Sequence, residues 1–235
     1  MTENIKTYLD NHFLTLSQLA RRARMPEEKI SALIKAKCIP GPSYELRKSG
    51  MLYTYLFGKV GVAIKSSKRY YAPSVTAWIQ RAQALAPGRD FRQIAKTMRT
   101  NFEKEFRQAM VDLDGRRFGF QRCFIKEGIF EEKQTTKMLK NKWRHFLEGT
   151  YGLCVKEPTT ARSITRKLIA VSRLAQLTND GKKKSFLPEE RGQVISAMRE
   201  FDAVVAKFDP VNYPISSRKR LLDDLRKKYK IWKRL

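Results

Sequence analysis

Between residues 90 and 113 the chain repeats its apolar side chains at helical spacing, with Phe91, Ile94, Ala95, Met98, Phe102, Phe106, Ala109, Met110 and Leu113 on one face. A stripe that long predicts an amphipathic α-helix, and its apolar face needs further elements to cover it. Candidates follow in order along the chain. Residues 131 to 147 bring Met138, Leu139, Trp143 and Phe146 to helical intervals, and residues 159 to 177 read as another helix. Pro188 opens a further one, whose face is Val194, Ile195, Met198, Phe201, Val205 and Phe208. Asp209, Pro210 and Pro214 then break the chain before a last helix with Leu221, Leu222, Leu225, Tyr229 and Trp232 on one stripe. In that helix Asp223 and Asp224 stand four residues from Lys227 and Lys228, a supportive spacing. Residues 115 to 128 read as a loop, and no strand is expected after residue 86.

The region before Ala86-Pro87-Gly88 has a different pattern, so residues 1 to 86 are read as a small domain and 87 to 235 as a helical one. Thr15 and Gln18 have the spacing of a capping box, and Leu16, Leu19 and Ala20 form the inner face of the helix it starts. Pro26 restarts a helix whose Ile30, Leu33 and Ile34 point inward, leaving Lys29, Ser31, Lys35 and Lys37 outward. A short extended piece at Tyr44 to Leu46, a β-rich stretch over 51 to 64 and Lys68-Arg69-Tyr70-Tyr71 suit a β-hairpin wing. Pro73-Ser74 opens a closing helix with Val75, Ala77, Trp78 and Ile79. The expected fold class is mainly α: a small winged helix-turn-helix with a short β-hairpin, followed by a helical domain.

The charge says what such a chain would bind. Forty-nine Lys and Arg against 23 Asp and Glu give a formal charge of +26, which favours a polyanion through counterion release at phosphates. The excess is densest at the C-terminal end, where residues 215 to 235 hold nine basic and two acidic side chains. Residues 51 to 64 are broken by Lys59 and fall short of the roughly 20 apolar residues of a membrane helix, so no membrane partner is expected. The N-terminus lacks a signal-peptide pattern, which points to the cytoplasm. Cys38, Cys123 and Cys154 are odd in number and far apart, and His12 and His145 are the only histidines, so neither a metal nor a cofactor is expected. No GxGxxG, Walker-type or GxSxG motif occurs. Cys154, with His145 and Glu148 nearby in sequence, is the nearest approach to a nucleophile and reads more simply as a packed cysteine. No catalytic residue is assigned, although scattered carboxylates leave acid–base chemistry open.

Residues 14 to 81, from Leu16 through Tyr70-Tyr71 to the following helix, resemble the winged helix-turn-helix of MerR-type regulators. That family commonly places glycine in the inter-helix turn, where this chain has Ala23-Arg24-Met25. A wider resemblance rests on Trp143, on Gly149-Thr150-Tyr151-Gly152-Leu153-Cys154, and on Ser216-Ser217-Arg218 with Leu221 and Tyr229. These are similar to segments of a bacterial family of unknown function labelled natural product biosynthesis protein, a resemblance that implies no mechanism.

The leading expectation is a DNA-binding protein, regulatory in role, with duplex DNA as partner. Arg21, Arg22, Lys35, Lys68 and Arg69 would contact the backbone, and Lys29 and Ser31 would lie nearest the bases. Reversing Arg21 and Arg22 to Glu should then weaken binding and flatten its salt dependence. Ser217, Arg218 and Arg220 at the start of the last helix form a candidate anion site. Two alternatives stay open: an accessory or catalytic protein of natural product biosynthesis binding an acidic ligand or a carrier protein, and RNA or ribosome binding. Oligomeric state is not legible.

Overall fold

The computed structural model describes residues 4 to 231. Its first helix, α1 (Ile5–His12), is capped by Asn4 and buries Ile5, Tyr8 and Leu9, an element too short and polar to stand out in the sequence. The capping box then forms as predicted: Thr15 Oγ1 accepts from the Gln18 backbone N–H at 3.3 Å, and Gln18 Oε1 accepts from the Thr15 N–H at 2.8 Å. It starts α2 (Leu16–Ala23), and α3 (Glu27–Lys35) follows after a three-residue turn. Glu27 and Glu28 in the first turn of α3 favour the helix dipole.

The extended pieces assemble into an antiparallel sheet of four strands, β1 (Tyr44–Leu46), β2 (Met51–Thr54), β3 (Gly58–Gly61) and β4 (Lys68–Tyr70), in the order β3-β2-β1-β4. The expected hairpin is its β2–β3 edge. Strand alternation buries Tyr44, Leu46, Leu52, Thr54 and Tyr70 and turns the other face outward. Helix α4 (Val75–Leu85) packs on both α2 and the next helix.

That next helix is α5 (Phe91–Asp112), started by an Asp90–Gln93 capping box. Ile94, Met98, Phe102, Phe106, Ala109 and Met110 are buried along it as the stripe predicts. Phe91 departs from the prediction: it is 45% exposed, because the first residue of α5 precedes the turn that meets the core. The loop expected over 115 to 128 ends in a strand, β5 (Phe124–Lys126), which pairs with β6 (Ile129–Phe130) just beyond it in a hairpin. Its Ile125 and Ile129 are exposed, so no burial alternation announced it.

Helices α6 (Glu132–Leu147), α7 (Thr150–Cys154), α8 (Ala161–Leu177) and α9 (Pro188–Val204) complete the helical layer, with α8 packed against both α5 and α9. Val205 and Phe208 are buried, but they lie past the end of α9, where Val205 bridges Val155 in extended form. The last helix begins as a π-helical turn, Lys219–Asp223, and continues as α10 (Asp224–Lys228). The expected pairing with Lys227 and Lys228 gives way to partners that precede the two aspartates in the chain. Tyr213 Oη donates to Asp223 at 2.8 Å, and Lys219 Nζ donates to Asp224 at 2.7 Å. Trp232 lies outside the described residues.

The protein is thus mainly helical with a small antiparallel sheet. A contiguous buried cluster runs from α1 to the end of α10, with aromatic rings at its centre. Trp78 of α4 lies edge-on to Phe146 of α6 at 4.6 Å between centroids, and Phe102 of α5 lies 5.3 Å from Trp143. Trp78 Nε1 also donates to the Pro158 carbonyl at 2.7 Å, satisfying the buried indole.

Candidate nucleic-acid interface

The turn from α2 to α3 passes through Arg24 in the left-handed region, φ 50° and ψ 46°, where a glycine would be unstrained. An L-residue there costs about 1 kcal/mol. The Met25 N–H donates to the Ala20 carbonyl at 3.1 Å, closing the helix end, and the buried Met25 side chain anchors the turn in the core. Ile30 and Leu33 then face inward, and Lys29, Ser31 and Lys35 are exposed, as the spacing predicts. Lys37 follows at φ 61° with its side chain exposed.

An open cleft of about 790 Å³ lies between this helix pair and the sheet. One wall is the start of α2 at Thr15, Leu16 and Ser17 together with Ser31, Ile34 and Lys35 of α3. Glu45 and Arg47 with Lys68 and Arg69 at the β4 edge make the other. Four of the residues named from sequence, Ser31, Lys35, Lys68 and Arg69, are therefore brought to one place from positions up to 38 apart. Arg21 and Lys29 are exposed and line neither this cleft nor the larger one beside it. Arg22 lines that larger cleft, of about 990 Å³, which runs past α1 and α4 to Lys156, Lys207 and Arg218.

Sequence reasoning missed Arg47, and strand register shows why it belongs. Arg69, Glu45, Tyr53 and Lys59 form one row across the strands on the outward face. Glu45 sits between two arginines, with Oε1 3.5 Å from Arg69 Nε and Oε2 3.4 Å from Arg47 Nη2. The Arg47 guanidinium also lies 5.0 Å from the centre of the Tyr53 ring. Alternation along β1 could have paired Arg47 with Glu45, since strand neighbours two apart share a face.

The start of the last helix is organised otherwise than its sequence suggests. Ser216, not Ser217, makes the cap: it is buried, and its Oγ accepts from the Lys219 N–H at 3.1 Å. Arg218 donates to Asp202 at 2.6 Å, with Arg226 on the other oxygen at 3.1 Å, and Arg220 pairs with Asp180. Burial alone would push the Asp202 carboxyl up, but the bonds from Arg218 and Arg226 outweigh it and hold it below the usual range. These arginines fasten the C-terminal segment to α9 and to the turn after α8.

Cys154 and His145 each meet Thr150. Cys154 Sγ donates to its carbonyl at 3.5 Å, and His145 Nδ1 lies 3.4 Å from its hydroxyl. Burial, with Lys142 and Arg144 nearby, lowers the His145 pKa. Among the described residues no group of three or more His, Cys, Asp or Glu is placed to hold a metal ion, and no helix is long and apolar enough to cross a membrane.

Fold and site define a mainly α protein with a positively charged cleft between a helix pair and a small sheet. Residues 98 to 230 match the model of a family of unknown function (DUF6058), and the chain belongs to that family. The matched stretch begins within α5, so the cleft residues on α2, α3 and the sheet precede it. No curated protein and no solved structure matches the chain.

Proposed function

We propose that this protein binds nucleic acid, with duplex DNA as its ligand and regulation as its role. One observation carries the reading: Ser31, Lys35, Lys68 and Arg69 line a single open cleft together with Arg47 and the first residues of α2. A phosphate backbone entering there would meet cations on one side and a helix start on the other, while exposed Ser31 on α3 would face the bases and Lys29, two residues away on the helix, would not. The succession of α2, turn, α3 and sheet is similar to the winged helix-turn-helix of MerR-type regulators, which supports a duplex reader over a general polyanion binder. Arg21 and Arg22, on the exposed side of α2, add longer-range attraction.

Fluorescence anisotropy of the full chain with random duplex DNA, single-stranded RNA and a polyanion control tests this across a salt series. Preference for duplex, weakened by Lys35→Glu, Lys68→Glu and Arg69→Glu together, is the expected result. Equal binding of every polyanion, unaffected by those changes, sinks the proposal.

The larger cleft favours a second reading, an accessory protein of natural product biosynthesis that takes an acidic ligand. It places Arg22, Lys156 and Lys207 around a concave surface, with the Thr76 hydroxyl buried and without a hydrogen-bond partner among the described residues. Stabilisation by citrate that Arg22→Gln abolishes would support it, and a melting point indifferent to citrate would count against it.

A further inference from the structure

The cleft between α3 and β4 does not end at Lys35. Ile34, Lys35, Pro42 and Glu45 line it and also line another open cleft, of about 600 Å³, which continues between the outward face of the sheet and helices α5 and α6. The two clefts adjoin along these four residues and are read together as one groove. To Lys35, Arg47, Lys68 and Arg69 the second part adds Lys37, Arg99, Lys140 and Arg144, against the carboxylates Glu45 and Glu148.

We infer that α6 and the part of α5 that carries Arg99, inside the stretch that matches the family, form a second arm of the nucleic-acid interface and hold the phosphates of the duplex flanking the segment read by α3. The inference rests on the nucleic-acid reading above and extends it from the N-terminal helix pair to the helical layer. A solvated basic face is the plain alternative, and two observations weigh against it. First, the cations are only partly neutralised in place. Arg99 is bound to Glu103 at 2.7 Å and Glu45 is shared by two arginines, but Lys35, Lys37 and Lys140 form no ion pair among the described residues. Second, the charge is ordered. Lys133, Lys137, Lys140 and Arg144 are all exposed at steps of four, three and four along α6, a single stripe whose last two members enter the groove. Unneutralised like charges lining a concave track concentrate a positive field where a phosphate backbone, with its evenly spaced charges, would release counterions on docking.

Lys140 and Arg144 can be changed without disturbing the core, since both are exposed and the side-chain partner of Arg144 is the neighbouring Asn141. The test compares the full-length protein with Lys140→Gln/Arg144→Gln and with Lys68→Gln/Arg69→Gln, measuring anisotropy with a short and a long random duplex over a salt series. For the long duplex, each pair of substitutions should weaken binding and lower the slope of log K against log salt by about 2, one unit per phosphate contact. For the short duplex, only the Lys68 and Arg69 changes should matter. If the α6 variant keeps wild-type affinity and slope on both duplexes while the β4 variant loses them, the second arm is overturned and the N-terminal reading stands. If the wild-type protein prefers no duplex over the polyanion control, both fall. Tighter binding of single-stranded RNA than of the long duplex overturns the assignment of the groove to duplex phosphates.

Discussion

The phenol of Tyr44 donates to Oδ2 of Asp209 at 2.8 Å, joining β1 to the segment that follows α9. Both side chains are buried, and Asp209 also accepts from the N–H groups of Val211 and Asn212 and from Asn212 Nδ2. A buried carboxylate is tolerable because these donors replace its water. Tyr44→Phe removes one of them and should cost about 1–3 kcal/mol. Asp209→Ala, which strands several donors at once, should cost more. Urea unfolding at constant m-value reads both, and a Tyr44→Phe protein within about 0.5 kcal/mol of wild type would show that the link contributes little.

Gly149, between α6 and α7, makes a second seam, against the chain entering β1. Its φ is +67°, and a Cβ there would stand 2.6 Å from the Pro42 carbonyl oxygen and 2.8 Å from that of Gly41. Ser43 Oγ donates to the Gly149 carbonyl at 2.9 Å, and the Gly41 N–H donates to that of Leu147 at 2.8 Å, so the strand entry has no room to retreat. Gly58 supplies the control, with φ +75° and nothing within 4 Å of its would-be Cβ. Gly58→Ala should lose about 1 kcal/mol for backbone strain alone, and Gly149→Ala should lose clearly more. Equal losses would mean the close approach to Pro42 carries no energy.

Periodicity made α5, α6, α8 and α9 legible because each buries a continuous stripe, and the Thr15–Gln18 cap was legible because it lies at the start of its own helix. The β5–β6 hairpin escaped because Ile125 and Ile129 are exposed and no alternation marks them. At the candidate site, Ser31, Lys35, Lys68 and Arg69 were readable as outward residues of a helix and a strand. Their meeting with Arg47, Arg99, Lys140 and Arg144 depends on packing between distant segments. The same limit applies to Arg218: local sequence shows a cation at a helix start, and only the fold shows that Asp202 binds it.

Alkaline conditions should unfold the protein through its hydrogen-bonded phenols, buried Tyr70 and half-buried Tyr213. Burial first, then hydrogen bonds to Asp10 and Asp223, push Tyr70 and Tyr213 up from 10.0 to about 12. The folded state therefore keeps the proton longer than the unfolded one. The stabilisation is fully present below pH 10.0 and is lost as pH rises through the folded value of about 12. Burial lowers Lys142, with Lys167 as the next cause, and acts in the opposite sense by favouring the folded state as pH climbs toward 10.5. Tyr70→Phe/Tyr213→Phe has a lower baseline, having lost two hydrogen bonds, but its unfolding free energy should fall less steeply between pH 10 and pH 12. Parallel slopes for variant and wild type would exclude these phenols as the cause.

Glu45 should restrain nucleic-acid binding. Its carboxylate lies on the outward row of the sheet between Arg47 and Arg69, where it pairs with both arginines of the first cleft and also faces the continuation toward α6. Arg69 is 68% exposed, so the pair is weak and the guanidinium can turn to a phosphate once its partner is uncharged. Glu45→Gln keeps the side-chain shape, removes one negative charge from the groove and frees two cations. Affinity for duplex DNA should rise by up to about fivefold, corresponding to about 1 kcal/mol, with a steeper salt dependence and little change in melting temperature. Affinity that stays constant or falls would mean that Glu45 positions the arginines for binding, and the restraint would then be discarded.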